Sequence, residues 1–138
     1  YMPRNLMVAD GEPGVLDFQD ALYGPISYDV TSLFADAFYS WSAAERGQWL
    51  TRYWQQAVAA QLPVPAQLSA FLDQARLMGV QRHLKVLGIF ARICHRDGKP
   101  HYLADAPRFV RYLREACADD VRLQPLAELL DSLGMPAA

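Results

Sequence analysis

Two polar side chains near the start of the chain, the amide of Asn5 and the carboxylate of Asp17, have the types and the spacing to hold a cation. Between them lie Leu6-Met7-Val8, the turn-forming run Ala9-Asp10-Gly11-Glu12-Pro13-Gly14, and Val15-Leu16. Such a pattern predicts two short strands joined as a hairpin. With the turn over Ala9–Pro13, Val8 pairs with Gly14 and Asn5 falls opposite Asp17, at a Cα separation of about 4.5–5.5 Å. Both side chains then project from the open end of the hairpin, within reach of one ion. Mg²⁺ takes hard oxygen ligands and commonly keeps water and substrate phosphates in its other positions, so two protein ligands suffice where a nucleotide supplies the rest. Asn and Asp also end strands with no ligand in view, and that plainer reading stands beside the metal one.

Beyond Pro25 the pattern turns helical. Ser27 is placed to cap a helix through about Tyr39, with Val30, Leu33, Phe34 and Ala37 on one face. Ser42-Ala43-Ala44-Glu45 has the form of a capping box and starts a helix to about Gln61, whose stripe is Trp49, Leu50, Tyr53, Trp54 and Ala57. Pro63 and Pro65 break the chain. A long helix is predicted from Ala66 to about Arg96, burying Leu68, Phe71, Leu72 and Ala75, then Leu84, Leu87, Ala91 and Cys94. Gly79 is a point at which it can kink or divide, and Gly98-Lys99-Pro100 ends it. Asp105-Ala106-Pro107 starts a helix to about Ala118 that buries Phe109, Val110, Leu113 and Cys117. A last short helix runs from near Pro125 to Gly134. The expected fold is mainly α: one N-terminal β-hairpin followed by five or six packed helices, with no internal repeat and no clear domain boundary.

With 138 residues and 52% hydrophobic content, the chain has material for a real core. A net charge of −2 argues against a general nucleic-acid or anionic-membrane surface, and neither partner is expected. The basic residues are interleaved with apolar ones over Arg76–Lys85, Arg92–Lys99 and Arg108–Arg114, as on the solvated sides of amphipathic helices. Cys94 and Cys117 show no metal-site spacing and read as buried free thiols in a reducing compartment. The longest apolar run, about six residues around Val86–Ala91, is far below the roughly 20 of a membrane span, and no signal peptide is recognisable. A cytoplasmic, bacterial location is expected. Tyr1 is not an initiator residue, so the numbering is expected to begin inside a longer protein.

The residues around the Asn/Asp pair sharpen its meaning. Tyr1-Met2-Pro3-Arg4-Asn5-Leu6-Met7-Val8, followed by Gly14-Val15-Leu16-Asp17-Phe18, resembles the catalytic-loop and metal-loop hairpin of kinase-like phosphotransferases. These enzymes carry His-x-Asp-x-x-x-x-Asn, a hairpin and an Asp-Phe-Gly-type segment. The wording is closest to the aminoglycoside phosphotransferase/choline kinase family, and Tyr23-Gly24-Pro25-Ile26-Ser27-Tyr28-Asp29-Val30 is similar to that family's approach to its first helix. Within it, Leu16-Asp17-Phe18-Gln19-Asp20-Ala21 and Gln81–Arg92 look like the anomeric sugar kinases that phosphorylate N-acetylmuramate and N-acetylglucosamine in cell-wall recycling. The resemblance covers nearly the whole chain.

It implies a protein-kinase-like C-terminal lobe using ATP and Mg²⁺, with Asn5 and Asp17 as metal ligands and a small-molecule acceptor, an amino sugar. It also implies what lies outside: the general-base Asp immediately before Tyr1, and an N-terminal nucleotide lobe with its phosphate-contacting Lys as the natural partner of residues 1–138. On that basis the fragment alone is expected to be inactive. Gln19 stands where protein kinases have the Gly of Asp-Phe-Gly, against a mobile loop of their kind.

Other side chains are candidates with bland alternatives. Arg4 can meet substrate or phosphate, or pair with a neighbouring carboxylate; Gln19, Asp20 and Tyr23 follow the metal segment closely enough to face the acceptor. Arg82 and Lys85, with His83 on the same stretch, can reach an acidic substituent of a sugar or form a solvated helix face. Asp29, in a first helical turn, favours the positive helix end or braces the catalytic loop. His95 and His101 are isolated surface groups. The series Phe38, Tyr39, Trp41, Trp49, Tyr53 and Trp54 reads as core or as a stacking surface for a sugar ring. Other acceptors in the family (aminoglycosides, choline, small alcohols) and a non-catalytic helical interaction module are the alternative functions.

Overall fold

The computed structural model describes residues 2–8, 10–17, 22–36 and 39–135. Among them are one antiparallel hairpin, β1 (Leu6–Met7) and β2 (Gly14–Val15), and five α-helices. The helices are α1 (Ser27–Phe34), α2 (Ala43–Ala59), α3 (Leu68–Asp97), α4 (Ala106–Ala118) and α5 (Gln124–Ser132). Short 3₁₀ turns at Pro3–Asn5, Pro100–Asp105 and Val121–Leu123 lead into β1, α4 and α5. The mainly helical architecture expected from the sequence is therefore present. The chain gathers into two compact units, Tyr1–Met78 and Gly79–Ala138, divided at the glycine that marks a possible break in α3, although the helix itself runs through unbroken.

In the first unit, polar side chains secure α1 as much as apolar ones do. Ser27 was expected to be a helix cap. It is instead the first helical residue, fully buried, and its hydroxyl donates to Gln74 Oε1 at 3.0 Å. Thr31 Oγ1 donates to the Ala75 carbonyl at 3.5 Å, and Ser32 Oγ closes onto the Tyr28 carbonyl at 2.7 Å. Buried hydroxyls of this kind are tolerable because each has an acceptor. The helix also ends earlier than its apolar spacing suggests, at Phe34, where Ala35 leaves helical geometry and pairs with Ser40. Ala37 and Phe38 lie outside the described residues.

The capping box at α2 is complete: Glu45 N–H donates to Ser42 Oγ at 3.2 Å, and Ser42 N–H returns to Glu45 Oε2 at 2.9 Å. Those bonds from Ser42, backbone first and hydroxyl second, hold the Glu45 carboxyl below its ordinary value. A depressed carboxyl stabilises the folded helix fully above the unfolded range, and that contribution is lost as pH falls through the lowered value. Tyr53 of α2 stacks on Phe71 of α3 at 6.0 Å, with Ala57 and Ala75 buried beside them, and Trp54 Nε1 donates to the Pro65 carbonyl at 2.8 Å.

In the second unit Val80, Leu113 and Leu130 form the core, with Leu87, Ala116, Leu123 and Leu126 packed around it. Here the buried face of α3 differs from the expected one. Leu84 is 42% exposed, whereas His83, grouped with its basic neighbours from the sequence, is 4% exposed with its ring 5.5 Å from Phe109 and 5.0 Å from Tyr112. The imidazole acts as a flat aromatic surface there, so the packed face runs through Val80, His83 and Phe90. Phe109, Val110, Leu113 and Cys117 of α4 are buried as expected, joined by Tyr112. Both cysteines are free thiols; Cys94 is only half-buried, and burial pushes the Cys117 thiol up. Gly98 and Gly134 end α3 and α5 at φ +65°, a conformation that costs glycine nothing. Arg114 secures the C-terminal end of this unit by donating to the carbonyls of Ala127 and Met135, with its guanidinium 2.6 Å from Asp131.

Because Leu113 is fully buried at the centre of this cluster, Leu113→Ala should lower the unfolding free energy by about 2–5 kcal/mol. Urea denaturation of the chain measures it; a change under about 1 kcal/mol would contradict the assigned core.

Candidate functional site

The hairpin brings Asn5 and Asp17 together, by a route other than the one the sequence suggests. The observed register is Leu6 opposite Val15 and Met7 opposite Gly14, one residue away from the Val8–Gly14 pairing expected for a turn over Ala9–Pro13. Asn5 is therefore level with Leu16, whose N–H donates to the Asn5 carbonyl at 2.8 Å. A one-residue slip ordinarily turns side chains to opposite faces of a sheet. Here the strand path stops in time. Asp17 sits at φ +59°, in the left-handed region, which bends the chain away from the ladder one residue beyond Leu16. Asp is among the few residues that adopt this conformation readily. Asn5, at the end of the Pro3–Asn5 turn, then donates from Nδ2 to Asp17 Oδ2 at 3.0 Å, across twelve residues of sequence.

The pair fits a hard cation. It joins a carboxylate and a primary amide in a solvent-exposed position. The amide nitrogen faces the carboxylate, and a half-turn about the Asn5 Cβ–Cγ bond places Oδ1 there instead, presenting two oxygens to an ion. Among the described residues, no group of three or more His, Cys, Asp or Glu side chains gathers to hold a metal. None of the helices in those residues is long and apolar enough to cross a membrane.

Arg4 is exposed in the same 3₁₀ turn as Asn5, and Tyr23 is exposed on the approach to α1. Gln19 and Asp20 lie outside the described residues. Asp29 occupies the first turn of α1, as expected, and is exposed. Arg82 and Lys85 are on α3 in the second unit, half-buried and exposed respectively, while His83 between them points into the aromatic packing described above. His95 and His101 are exposed.

A second feature of the first unit is an open groove of 570 Å³ between α1 and α2, lined by Asp29, Val30, Leu33 and Phe34 on one side and Trp49, Arg52, Tyr53 and Gln56 on the other. Phe34 and Trp49 stack at 6.0 Å, Trp41 meets Trp49 edge-on at 6.3 Å, and the Arg52 guanidinium lies 5.6 Å from the Trp49 ring centre. Burial, followed by the charge of Asp29, pushes the Tyr53 phenol up. Sequence reasoning named Trp49 and Tyr53 but missed Arg52 and Gln56. The signal was available: positions 49, 52, 53 and 56 follow the i, i+3, i+4, i+7 spacing of one helix face, and two of the four are polar.

The chain belongs to the phosphotransferase enzyme family, whose model matches residues 1–71, the stretch that holds the hairpin, α1 and α2. It is 60% identical over 133 residues to the N-acetylmuramate/N-acetylglucosamine kinases of Pseudomonas putida and Pseudomonas aeruginosa, and 53% identical over 133 residues to that of Neisseria meningitidis. Each match takes in 96% of this chain but only 39–40% of the relative, so the chain spans about two fifths of the length of these curated proteins. No solved structure matches the chain.

An exposed hydrogen bond such as Asn5–Asp17 contributes little to folding. Asn5→Ala should change the unfolding free energy by no more than about 0.5–1.5 kcal/mol in urea denaturation. A loss above about 3 kcal/mol would make the pair a structural clamp instead of a site.

Proposed function

We propose that this chain is the helical, acceptor-side part of an ATP-dependent small-molecule phosphotransferase, whose acceptor is an amino sugar of the N-acetylmuramate/N-acetylglucosamine type, phosphorylated at the anomeric position. The observation that carries this reading is the 3.0 Å contact between Asn5 and Asp17 inside the stretch that matches the family. The acceptor class is supported by the names of the relatives, at 53–60% identity.

In the whole protein Asn5 and Asp17 would hold Mg²⁺, an ion that commonly takes nucleotide phosphates and water as its other ligands. When bound, the ion supplies neutralisation of charge on the transferring phosphates. The left-handed backbone at Asp17 brings its side chain to Asn5, so that ion binding requires only the half-turn of the Asn5 amide. Arg4, next to Asn5 in sequence, is a candidate to meet a phosphate or the acceptor, and Gln19, Asp20 and Tyr23 are further candidates for acceptor contacts. Arg82 and Lys85 are further candidates for an acidic substituent of the sugar. Asp29, in the first turn of α1, favours the positive end of that helix. The general base is the Asp expected directly before Tyr1, and the nucleotide lobe is supplied by the part of the polypeptide outside these residues. Without them the 138-residue chain has no turnover of its own. The protein acts in the bacterial cytoplasm, in recycling of cell-wall sugars.

Asp17→Ala in the full-length protein should lower turnover by roughly 10²–10³-fold or more, the scale on which one preorganised charge-stabilising group acts. Binding of Mg²⁺–ATP should weaken more than binding of the sugar. Asp17→Asn, which keeps the tolerance for positive φ, should lose turnover as well. Unchanged turnover in both variants would sink the metal assignment, and steady-state kinetics with N-acetylglucosamine reads either result.

A further inference from the structure

Cations are scarce in the first unit. Residues 1–78 contain four arginines and no lysine against eight Asp and Glu residues. An anionic acceptor approaching this unit therefore meets net repulsion unless a cation stands at the site itself. Three of the arginines are engaged in holding local structure. The Arg46 guanidinium donates to the Trp41 carbonyl at 2.7 Å, Arg52 lies over the Trp49 ring, and Arg76 is 3.6 Å from Asp73. Arg4 differs in its place. It is the exposed middle residue of the Pro3–Asn5 turn, directly before the residue that bonds Asp17 at 3.0 Å. That turn is held by Asn5 N–H on the Met2 carbonyl at 3.0 Å, by Leu6 N–H on the Pro3 carbonyl, and by the fixed φ of proline. The root of the Arg4 side chain is thereby fixed relative to the Asn5–Asp17 pair.

The two sugars in the relatives' name differ in charge. N-acetylmuramate is N-acetylglucosamine carrying a lactic acid ether, which adds a carboxylate to an otherwise similar molecule. We infer that Arg4 receives this carboxylate and so sets the preference between the acidic and the neutral acceptor. The inference rests on the amino-sugar reading above and names a contact within that site. Chain order favours the acceptor over the phosphates as the target. The general base expected before Tyr1 must lie at the acceptor hydroxyl, and Arg4 falls between that base and the proposed metal ligand Asn5. The phosphates already have the proposed cation as counter-charge. A guanidinium suits the task because its fork meets both oxygens of a carboxylate. At an exposed position the pairing adds affinity for the acid without making it obligatory, as a site that takes both sugars requires.

Acceptor competition in the full-length protein tests it, with N-acetylmuramate and N-acetylglucosamine as alternative substrates at fixed Mg²⁺–ATP. The quantity read is the ratio of kcat/KM for the acidic sugar to that for the neutral one. Arg4→Gln should lower this ratio about tenfold, the scale of a hydrogen bond to a charged partner, chiefly through KM for the acid. Arg4→Lys keeps the charge without the fork and should recover part of the ratio. Added salt should erode the ratio of the unaltered protein and leave that of Arg4→Gln nearly flat. An equal fall for both sugars, or a rise in KM for ATP alone, would overturn the inference and make Arg4 a phosphate or structural group. So would a ratio that Arg4→Gln leaves unchanged, whether or not Arg82→Gln or Lys85→Gln lowers it. An unaltered protein that accepts only N-acetylglucosamine would overturn it too. Turnover of neither sugar would instead remove the amino-sugar reading on which the inference rests.

Discussion

The site depends on one backbone constraint: Asp17 must leave the strand path at φ +59° for its carboxylate to meet the amide of Asn5. With β1 and β2 only two residues long, the ladder cannot by itself fix a side chain beyond Leu16. The left-handed turn does so, and it limits position 17 to residues that tolerate that conformation. Of those, Asp also brings a charged oxygen, the kind of group the proposed cation would take. A local backbone requirement and a chemical one thus converge on the same residue, which is why the contact has more meaning than an incidental pairing of polar ends.

Behind the hairpin, α1 is held by hydroxyl groups as well as by apolar contact. Ser27 and Thr31 lie one turn apart and bond to consecutive residues of α3, Gln74 and Ala75. Bonds of this geometry fix rotation and height in a way that interchangeable apolar contacts do not. The adjoining face of α1 lines the groove with α2, where Phe34 stacks on Trp49 and the Asp29 charge reaches Tyr53. One helix therefore connects the anchored and the uncovered surfaces of the first unit.

Much of this was legible from residue types, and the exceptions have physical causes. The capping box at Ser42 and Glu45, the glycine stop at Gly98 and the apolar face of α4 follow local rules, and each is found where those rules put it. Ser27 and His83 were misread because their partners are distant in sequence. Nothing near Ser27 announces Gln74, and nothing near His83 announces Phe109 and Tyr112. The hairpin register was misplaced by one residue because a turn rich in Gly, Asp and Pro does not specify its own length. The Asn5–Asp17 contact survived that error through the bend at Asp17, which no pattern of hydrophobicity encodes. Family wording around the pair pointed to the cation, and hairpin geometry alone left it beside an ordinary strand end.

The central claim is that Asn5 and Asp17 share one ion with a nucleotide. Mn²⁺ can replace Mg²⁺ as a paramagnetic probe in the full-length protein with ATP, read by amide resonances in NMR spectra. Broadening should be greatest at residues 5 and 17 and their immediate neighbours, and it should require the nucleotide. Broadening centred elsewhere, with the amides of Asn5 and Asp17 left sharp, would contradict the account.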